Sequence, residues 1–294
     1  MKFPEFDYLR VDSLSDALAA YEAADGEGIY LAGGHSVMPS LALRLQAPAV
    51  LIDIAHIEEL KGVSIQDDWL RIGALTRHVE IAEHPLIRQH APILAQAAPY
   101  VAHPAIRNRG TIGGNLALSD PASEFPAVIR ALRARLEIVG PTGVRYVEAD
   151  DYFIDLYTTV IEPGEILRSI LVPPQQENSV YAFDELVRRR GDYAMVGLAI
   201  QGIYEQKKVN DISIVFCSVG NIPMRAVTVE KHLVGSGLDE EHISSALGLL
   251  GEDIDPADDP HLPADVRLHM ARVLLGRLLR RIKNLSDMTV EVAA

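Results

Sequence analysis

Two short glycine pairs stand out in the chain, one in Leu31-Ala32-Gly33-Gly34-His35-Ser36 and one in Thr111-Ile112-Gly113-Gly114-Asn115. Each pair adjoins an apolar run. Glycine has no Cβ, so the backbone can approach a ligand where a side chain would collide with it. Imidazole, hydroxyl and amide groups stand beside the pairs. We therefore expect two loops that grip one large anionic ligand from both sides.

The glycine pattern also limits the kind of ligand site. A single Gly-Gly after a strand commonly serves only a tight turn, so the interpretation depends on having two pairs. Neither pair forms a G-x-G-x-x-G fingerprint, and the chain has no G-x-x-x-x-G-K-[ST] sequence. This disfavours an ordinary Rossmann or P-loop site. A dinucleotide such as FAD, held in another way, satisfies the pattern.

Composition narrows the class of protein. The chain has 294 residues, 48% of them hydrophobic, and a formal net charge of −14. An acidic chain is not expected to bind nucleic acid or an anionic membrane surface. The apolar stretches are short and interrupted, and the first residues have no apolar signal region, so we expect no membrane span and a cytoplasmic protein.

The single cysteine, Cys217, excludes several kinds of site. One cysteine cannot form an intrachain disulfide, an iron–sulfur cluster or a cysteine-rich zinc site. Residues 212–219 have the composition of a buried strand, so we expect Cys217 to be a small core residue. We expect no metal site on this chain.

The hydrophobic pattern predicts an α+β protein with a linker at residues 173–178. Asp120-Pro121 is predicted to cap a helix, with Pro at its first position. The predicted helices cover residues 16–21, 39–45, 76–83, 86–98, 125–132, 239–250 and 266–282. The predicted strands cover residues 29–31, 50–54, 63–65, 69–73, 136–139, 144–147, 165–172, 194–204 and 212–219. Residues 101–110 are expected to be irregular.

Four ordered motifs give the chain a family resemblance. They are Ala32-Gly33-Gly34-His35-Ser36 with Pro39, Ile72-Gly73-Ala74-Leu75-Thr76, Arg109 to Ala117 around the second glycine pair, and Arg190-Gly191-Asp192-Tyr193-Ala194. Together they span essentially the whole chain. The chain resembles the FAD-binding medium subunit of molybdenum hydroxylases, the xanthine dehydrogenase and carbon monoxide dehydrogenase family. His35-Ser36 is more similar to the carbon monoxide dehydrogenase branch.

The resemblance implies a specific division of the chain. Residues 1–56 and 57–174 would be the two subdomains of an FAD-binding fold of the vanillyl-alcohol-oxidase (PCMH) type. Residues 179–294 would form a C-terminal small α/β domain, a sheet with helices, of the carbon monoxide dehydrogenase flavoprotein type.

The resemblance also implies which residues bind noncovalent FAD. The first segment would hold the diphosphate from one side through Ala32, Gly33, Gly34, His35 and Ser36. The second segment would hold it from the other through Thr111, Gly113, Gly114 and Asn115. The remaining expected cofactor contacts are Leu75, Asp120, Glu124, Leu167, Asp192 and Tyr193. No residue of this chain is expected to be catalytic.

Several of these residues have a second interpretation. Asp120 is also a candidate helix cap, and Tyr193 is either an aromatic beside the isoalloxazine ring or a packed strand residue. Glu124 stands where relatives usually have Asp, and Glu185 stands where they often have Lys. Arg188-Arg189-Arg190 fits either a solvated turn or a contact with an acidic partner.

The function implied by the resemblance is electron transfer. A large partner subunit would hold molybdopterin, a small one two [2Fe–2S] clusters, and FAD on this chain would pass electrons to a quinone, NAD, oxygen or a carrier protein. The lack of cysteine ligands here fits that division. The alternatives are a stand-alone FAD-dependent reductase on the same scaffold and a flavin-free assembly protein.

Overall fold

The computed structural model describes residues 2–260 and 262–293, with side chains to residue 285. In this part of the chain the strands form three sheets and a small hairpin. The strands are β1 (Asp7–Arg10), β2 (Gly28–Leu31), β3 (Val50–Asp53), β4 (Val63–Gln66), β5 (Trp69–Gly73), β6 (Arg135–Gly140), β7 (Gly143–Glu148), β8 (Phe153–Asp155), β9 (Thr158–Thr159), β10 (Ile166–Val172), β11 (Ser179–Leu186), β12 (Val196–Glu205), β13 (Lys208–Cys217) and β14 (Met224–Arg225).

The helices connect these strands and cover the sheets. They are α1 (Leu14–Ala23), α2 (Val37–Ala42), α3 (His78–Glu83), α4 (Pro85–His90), α5 (Pro92–Ala97), α6 (Pro104–Arg107), α7 (Ile112–Leu118), α8 (Glu124–Ala131), α9 (Ala149–Tyr152), α10 (Val227–Leu233), α11 (Glu240–Asp253) and α12 (Ala264–Ala293). Among the described residues, we find no helix with the length and apolar character that a membrane span requires.

The first sheet is small and parallel, with the order β1-β3-β2. Helix α1 begins after Ser13, whose hydroxyl accepts a hydrogen bond from the backbone N–H of Asp16. Because β2 leads directly into residues 32–36, the first glycine pair emerges at the carboxyl end of a parallel strand. Ligands commonly bind at such strand ends.

The second sheet is antiparallel, with the order β4-β5-β10-β6-β7. Helices α3, α4, α5, α7 and α8 belong to the same unit and share its core, in which Phe125 and Tyr152 are fully buried. The third sheet, β11-β12-β13-β14, is also antiparallel.

Both faces of the third sheet are buried, because side chains alternate along its strands. One face, with Leu198 and Phe216, shares a core with α10, α11 and α12. The other face, with Phe183, Ala199 and Val215, joins the core of the second unit beneath α8. The C-terminal domain is therefore packed directly against the unit that carries the second glycine pair. The mixed helix and sheet architecture confirms the predicted fold class.

Some predicted elements differ from the structure. The helix expected over residues 86–98 is divided into α4 and α5 at Ala91, because Pro92 disfavours helical geometry in the residue before it. Residues 101–110 are not wholly irregular, since α6 lies within them. The sequence patterns also missed β1, β8, β9, β11, β14, α9 and α10.

The region around the second glycine pair needs two further corrections. Gly113 and Gly114 do not form a loop but lie in the first turn of α7, with Thr111 as its N-cap. Asp120 does not cap α8, which begins later, after Ser123. The Asp120 carboxylate instead accepts a hydrogen bond from the backbone N–H of Ala122 and stabilises the turn before the helix.

Candidate functional site

A long cleft lies between the first sheet, the second sheet with its helices, and the loop before β12 of the third sheet. Its wider part, a cavity of about 1080 Å³, is lined by residues of the first sheet's loops and of the β5–α3 connection. A second cavity of about 470 Å³ continues toward α7, α8 and the loop before β12. The two cavities share Ala32, Gly33, Gly34, His35 and Thr111 in their lining. They are therefore two halves of one cleft that meet at the first glycine pair.

The first glycine pair supplies unused hydrogen-bond donors at the centre of this cleft. Within the described residues, the backbone N–H groups of residues 33–36 have no acceptor in the protein. The hydroxyl of Ser36 does not cap α2, so it also remains available. Gly34 has a φ of +78°, a conformation that residues with a side chain rarely adopt. Adjacent free N–H groups of this kind form a concave anion-binding site.

Close packing within the protein explains why residue 33 is a glycine. A Cβ at this position would lie 2.5 Å from the carbonyl oxygen of Arg109 and 3.0 Å from the Cα of Gly110. The glycine therefore allows residues 33–34 to approach the chain that leads into α7. This contact, rather than a contact with a ligand, is the one that a side chain on Gly33 would block.

The second glycine pair is arranged differently, because its backbone donors are already bonded within the protein. The N–H of Ile112 donates to the carbonyl of Thr76, and that of Gly113 to the carbonyl of Ala74. The N–H of Gly114 donates to Oγ1 of Thr111 at 3.1 Å. A Cβ on Gly113 would lie 2.4 Å from the Cβ of Ala74, so this glycine serves close packing and lines neither half of the cleft.

Side chains rather than backbone groups face the cleft from the second segment. The Thr111 hydroxyl accepts from Gly114, which leaves its own proton available to a ligand. Asn115 donates to Oγ of Ser123 at 3.0 Å, but its Oδ1 is buried without a hydrogen-bond partner. A buried, unpartnered amide oxygen beside a cleft is costly unless a ligand donates to it.

One end of the narrower half is lined by the loop between β11 and β12 of the third sheet and by the turn before α8. Asp120, Asp192 and Tyr193 all line it. Tyr193 is 72% exposed, so it is not packed in the core as one interpretation expected. Burial of part of its ring and the neighbouring Asp120 carboxylate raise the pKa of Tyr193 to about 12. Its neutral phenol stands at the mouth of this half.

Glu124 lines the same half but lies deeper than Asp120. Only 6% of it is exposed. Burial raises the pKa of Glu124 to about 7, and the nearby Asp120 acts in the same direction. Of the two remaining residues that were predicted to contact the cofactor, Leu75 lines the wider half of the cleft. Leu167 lines neither half, because it is buried in the core of the second sheet.

Arg77, Arg109 and His78 are among the cleft residues that the sequence patterns missed. Arg77 and Arg109 line the wider half, where neither has a salt bridge among the described residues. His78 lines the narrower half, is 4% exposed and has no hydrogen-bond partner for either ring nitrogen. Burial lowers the pKa of His78 to about 4, so its imidazole is neutral. Arg77 and His78 directly follow the motif ending at Thr76, which was the available signal.

The cleft is a local exception to the acidic character of the chain. Lys61, Arg77 and Arg109 line its wider half, against the carboxylates of Asp53 and Glu80. Cations and free N–H groups together favour an elongated anion. Within the described residues, no group of three or more His, Cys, Asp or Glu side chains is arranged to hold a metal ion.

The sequence matches two family profiles in succession. Residues 4–175 match the FAD binding domain in molybdopterin dehydrogenase, and residues 181–282 match the CO dehydrogenase flavoprotein C-terminal domain. The chain belongs to this family of FAD-binding medium chains. The predicted resemblance is thereby confirmed, and the chain is an oxidoreductase subunit of the molybdenum hydroxylase type.

Individual relatives are similar in sequence to this chain over nearly its full length. The carbon monoxide dehydrogenase medium chain of Afipia carboxidovorans is 37% identical over 95% of this chain and 96% of its own. The 6-hydroxypseudooxynicotine dehydrogenase complex subunit alpha of Paenarthrobacter nicotinovorans is 36% identical over 96% of this chain and 95% of its own. A crystal structure of the Cu,Mo-CO dehydrogenase superposes with a TM-score of 0.92 at 36% identity, covering 97% of this chain and 99% of that one.

The cleft fits the FAD that the family profile implies. Free backbone donors stand at its centre, a buried amide oxygen of Asn115 lacks a donor, and the wider half is cationic. The chain has an FAD-binding domain, and molybdopterin and iron–sulfur clusters belong to other subunits of such complexes.

Proposed function

We propose that this chain holds FAD noncovalently in the cleft and transfers electrons within a heterotrimer. It would receive them from the [2Fe–2S] clusters of a small subunit, which are reduced by a large molybdopterin subunit, and pass them to an external acceptor. The acceptor classes are a quinone, NAD, oxygen and a carrier protein. The observation that carries the proposal is the set of unbonded N–H groups of residues 33–36 where the two halves of the cleft meet.

The roles of the cleft residues follow from their chemistry. The N–H groups of residues 33–36 would hold the diphosphate, assisted by the hydroxyl of Thr111. Arg77 and Arg109 would balance its charge from the wider half, which would take the adenosine part. The narrower half would take the isoalloxazine part, with Tyr193 beside the ring. FAD in this position supplies a carrier that takes up and releases electrons.

The remaining residues support electron transfer rather than substrate chemistry. Tyr193 stands at the mouth of the narrower half and is well exposed, so it would control how closely an acceptor approaches the ring. His78 is neutral at physiological pH and would offer an N–H donor without adding charge. The chain would need no nucleophile or general base of its own.

The first test is the absorption spectrum of the purified chain after incubation with FAD and desalting. A retained flavin band that moves to the supernatant after acid precipitation establishes noncovalent FAD. Loss of the band with Gly33→Ala, but not with Gly248→Ala on α11 outside the cleft lining, would place the flavin in this cleft. A chain that retains no flavin with or without its partners contradicts the proposal.

The second test addresses the electron path. A tagged copy of the chain is purified from its own cells, and iron, molybdenum and FAD are quantified in the same peak. The proposal expects iron and molybdenum in fixed proportion to FAD, and flavin bleaching when the clusters are reduced under anaerobic conditions. FAD without iron or molybdenum would favour a stand-alone reductase.

A further inference from the structure

One wall of the narrower half is formed by two loops that contact each other. Residues 101–103 lie between α5 and α6, and residues 191–193 lie just before β12. All of these residues line the narrower half. The first loop belongs to the segment that matches the FAD-binding profile, and the second belongs to the segment that matches the C-terminal profile. The wall is therefore assembled from both parts of the chain.

His103 and Gly191 make the contact between the two loops. The imidazole ring of His103 occupies the space that a side chain on Gly191 would need, because a Cβ there would lie 2.5 Å from Nδ1 of the ring and closer still to Cε1. Gly191 also has a φ of +90°, a conformation that favours glycine. The ring therefore lies directly against the backbone of the second loop.

Hydrogen bonds fix the backbone that carries the imidazole ring. The guanidinium of Arg107 donates to the carbonyl oxygens of Val101 and Ala102 at 2.9 and 2.7 Å. The carbonyl oxygen of His103 accepts from the N–H of Ile106 at 2.9 Å and from that of Arg107 at 3.1 Å, at the start of α6. The first loop is thus held in place by its own bonds, independently of the second.

The second loop is supported differently. Its turn is closed by the N–H of Asp192, which donates to the carbonyl of Arg189 at 3.0 Å, and its base by the N–H of Met195, which donates to the carbonyl of Leu186 at 2.8 Å. The side chains of residues 188–193 are exposed, so they bury little apolar surface. A loop of this kind depends on the surface that its backbone lies against.

The strand that leads into the second loop is itself fixed against the segment before His103. The N–H of Phe183 donates to Oε1 of Gln96 at 3.1 Å, and the hydroxyl of Tyr100 donates to Asp184 at 3.2 Å. The rings of Tyr100 and Phe183 also pack edge to face. Because β11 is anchored in this way, the loop after it is the part whose position is left for His103 to determine.

We propose that His103 is a positioning residue, which sets where residues 188–193, and with them Tyr193, stand at the mouth of the narrower half. The ring acts through Gly191, and Asp120 beside Tyr193 is a second support further along the loop. Loops that border a site control how a bound group is reached from solvent. The inference rests on the proposed FAD site only for the flavin arm of its test.

The first arm compares melting temperatures of the FAD-free chain. Gly191→Ala places a Cβ against the ring at a positive φ, whereas Gly235→Ala places one at a φ of +86° with nothing within 4 Å. We expect Gly191→Ala to lower the Tm by about 3 °C or more beyond the loss in Gly235→Ala. In a His103→Ala background the excess should fall below about 1 °C, because the ring is gone. An equal excess in both backgrounds overturns the contact.

The second arm measures whether His103 steadies the loop. Amide hydrogen exchange is followed at Asp192 and Met195, whose N–H groups close the turn and the base of the loop. We expect both amides to exchange about fivefold faster or more in His103→Ala than in the parent chain. His269→Ala, which alters an exposed histidine on α12, is the control and should leave them unchanged. Exchange in His103→Ala at the rate of the parent chain overturns the positioning role.

The flavin arm uses the chain loaded with FAD. Quenching of the flavin fluorescence by iodide reports how far the ring is open to solvent. We expect the quenching constant to rise about two- to threefold in His103→Ala and to be unchanged in His269→Ala. Faster loop exchange without any change in quenching overturns the link between the loop and the flavin. If the parent chain binds no FAD, the proposed function is contradicted instead, and the first two arms still test His103.

Discussion

The two glycine segments look alike in sequence but are built for different tasks. Residues 33–36 leave their backbone N–H groups unbonded at the centre of the cleft. Residues 112–114 direct theirs to Thr76, Ala74 and the Thr111 hydroxyl. The first segment can therefore hold an anion with its backbone, whereas residues 112–114 have no backbone donor left for one. A Gly-Gly motif by itself does not distinguish these two uses.

The difference has a physical origin. Residues 111–113 run beside residues 74–78, where Arg77 and Thr111 form an isolated antiparallel bridge. Residues 112–114, held in this way, have no spare backbone donors. Residues 33–36 instead connect a parallel strand to a short helix, and Gly33 needs only to pass close to Arg109. The second segment thus supports the first and fixes its position.

The largest effect is expected from Gly113→Ala. The new Cβ would lie 2.4 Å from the Cβ of Ala74 and 2.7 Å from its carbonyl oxygen, so the α7 contact must open. We expect a loss of about 2–3 kcal/mol in the free energy of unfolding, measured by urea denaturation. Gly114→Ala is the matched control, since the nearest atom to its new Cβ is the side-chain oxygen of Thr111 at 3.0 Å, and no backbone atom lies as close as those that Gly113→Ala would meet. Equal losses would mean that the two glycines have the same role.

Gly33→Ala tests whether the first segment, unlike the second, holds the ligand with its backbone. Its Cβ would lie 2.5 Å from the carbonyl oxygen of Arg109, so residues 33–36 must move away from α7. We expect the FAD dissociation constant to rise at least about tenfold, with a loss of roughly 1–2 kcal/mol in folding stability. Gly248→Ala, where nothing lies within 4 Å of the new methyl group, should leave FAD binding unchanged. If Gly33→Ala binds FAD as tightly as the parent chain, the close approach of Gly33 to Arg109 does not position the residues that hold the ligand.

Thr111→Val tests the side-chain role of the second segment. The substitution removes the hydroxyl that caps α7 and the proton that it can offer to the cleft. We expect a stability loss of about 1 kcal/mol and a severalfold weaker FAD affinity, measured by denaturation and fluorescence titration. Thr111→Ser retains the hydroxyl and should recover most of both. If valine is tolerated without any loss of affinity, the hydroxyl does not contact the ligand.

The smallest effect is expected from Ser36→Ala. This hydroxyl does not cap α2, and the backbone N–H of residue 36 is retained in the variant. We expect the FAD affinity to change by less than about 0.5 kcal/mol, measured by the same titration. A loss comparable to that of Gly33→Ala would show that the first segment also depends on side chains.

Local sequence predicted much of the fold and part of the site. The alternation and apolar runs of β5, β6, β10 and β13 are visible in the sequence because one or both of their faces are buried. All four residues of β1 are exposed, so no burial pattern marks it. The glycine pairs were found because they are local motifs.

The bonding state of the glycine pairs could not be predicted in the same way. It depends on residues 74–76, which lie far from residues 112–113 in the sequence. The same limitation applies to Arg77 and His78, whose place in the cleft depends on how the β5–α3 connection faces α7. Leu167, expected as a cofactor contact from the resemblance, lies in the core because its strand is the centre of the second sheet.

The most direct measurement is amide hydrogen exchange of the two segments with and without FAD. Residues 33–36 have no acceptors in the protein, so we predict rapid exchange that slows when FAD binds. Residues 112–114 are already bonded, so their protection should be high and nearly unchanged. Strong new protection at residues 112–114 with none at residues 33–36 would contradict the distinction between the two segments.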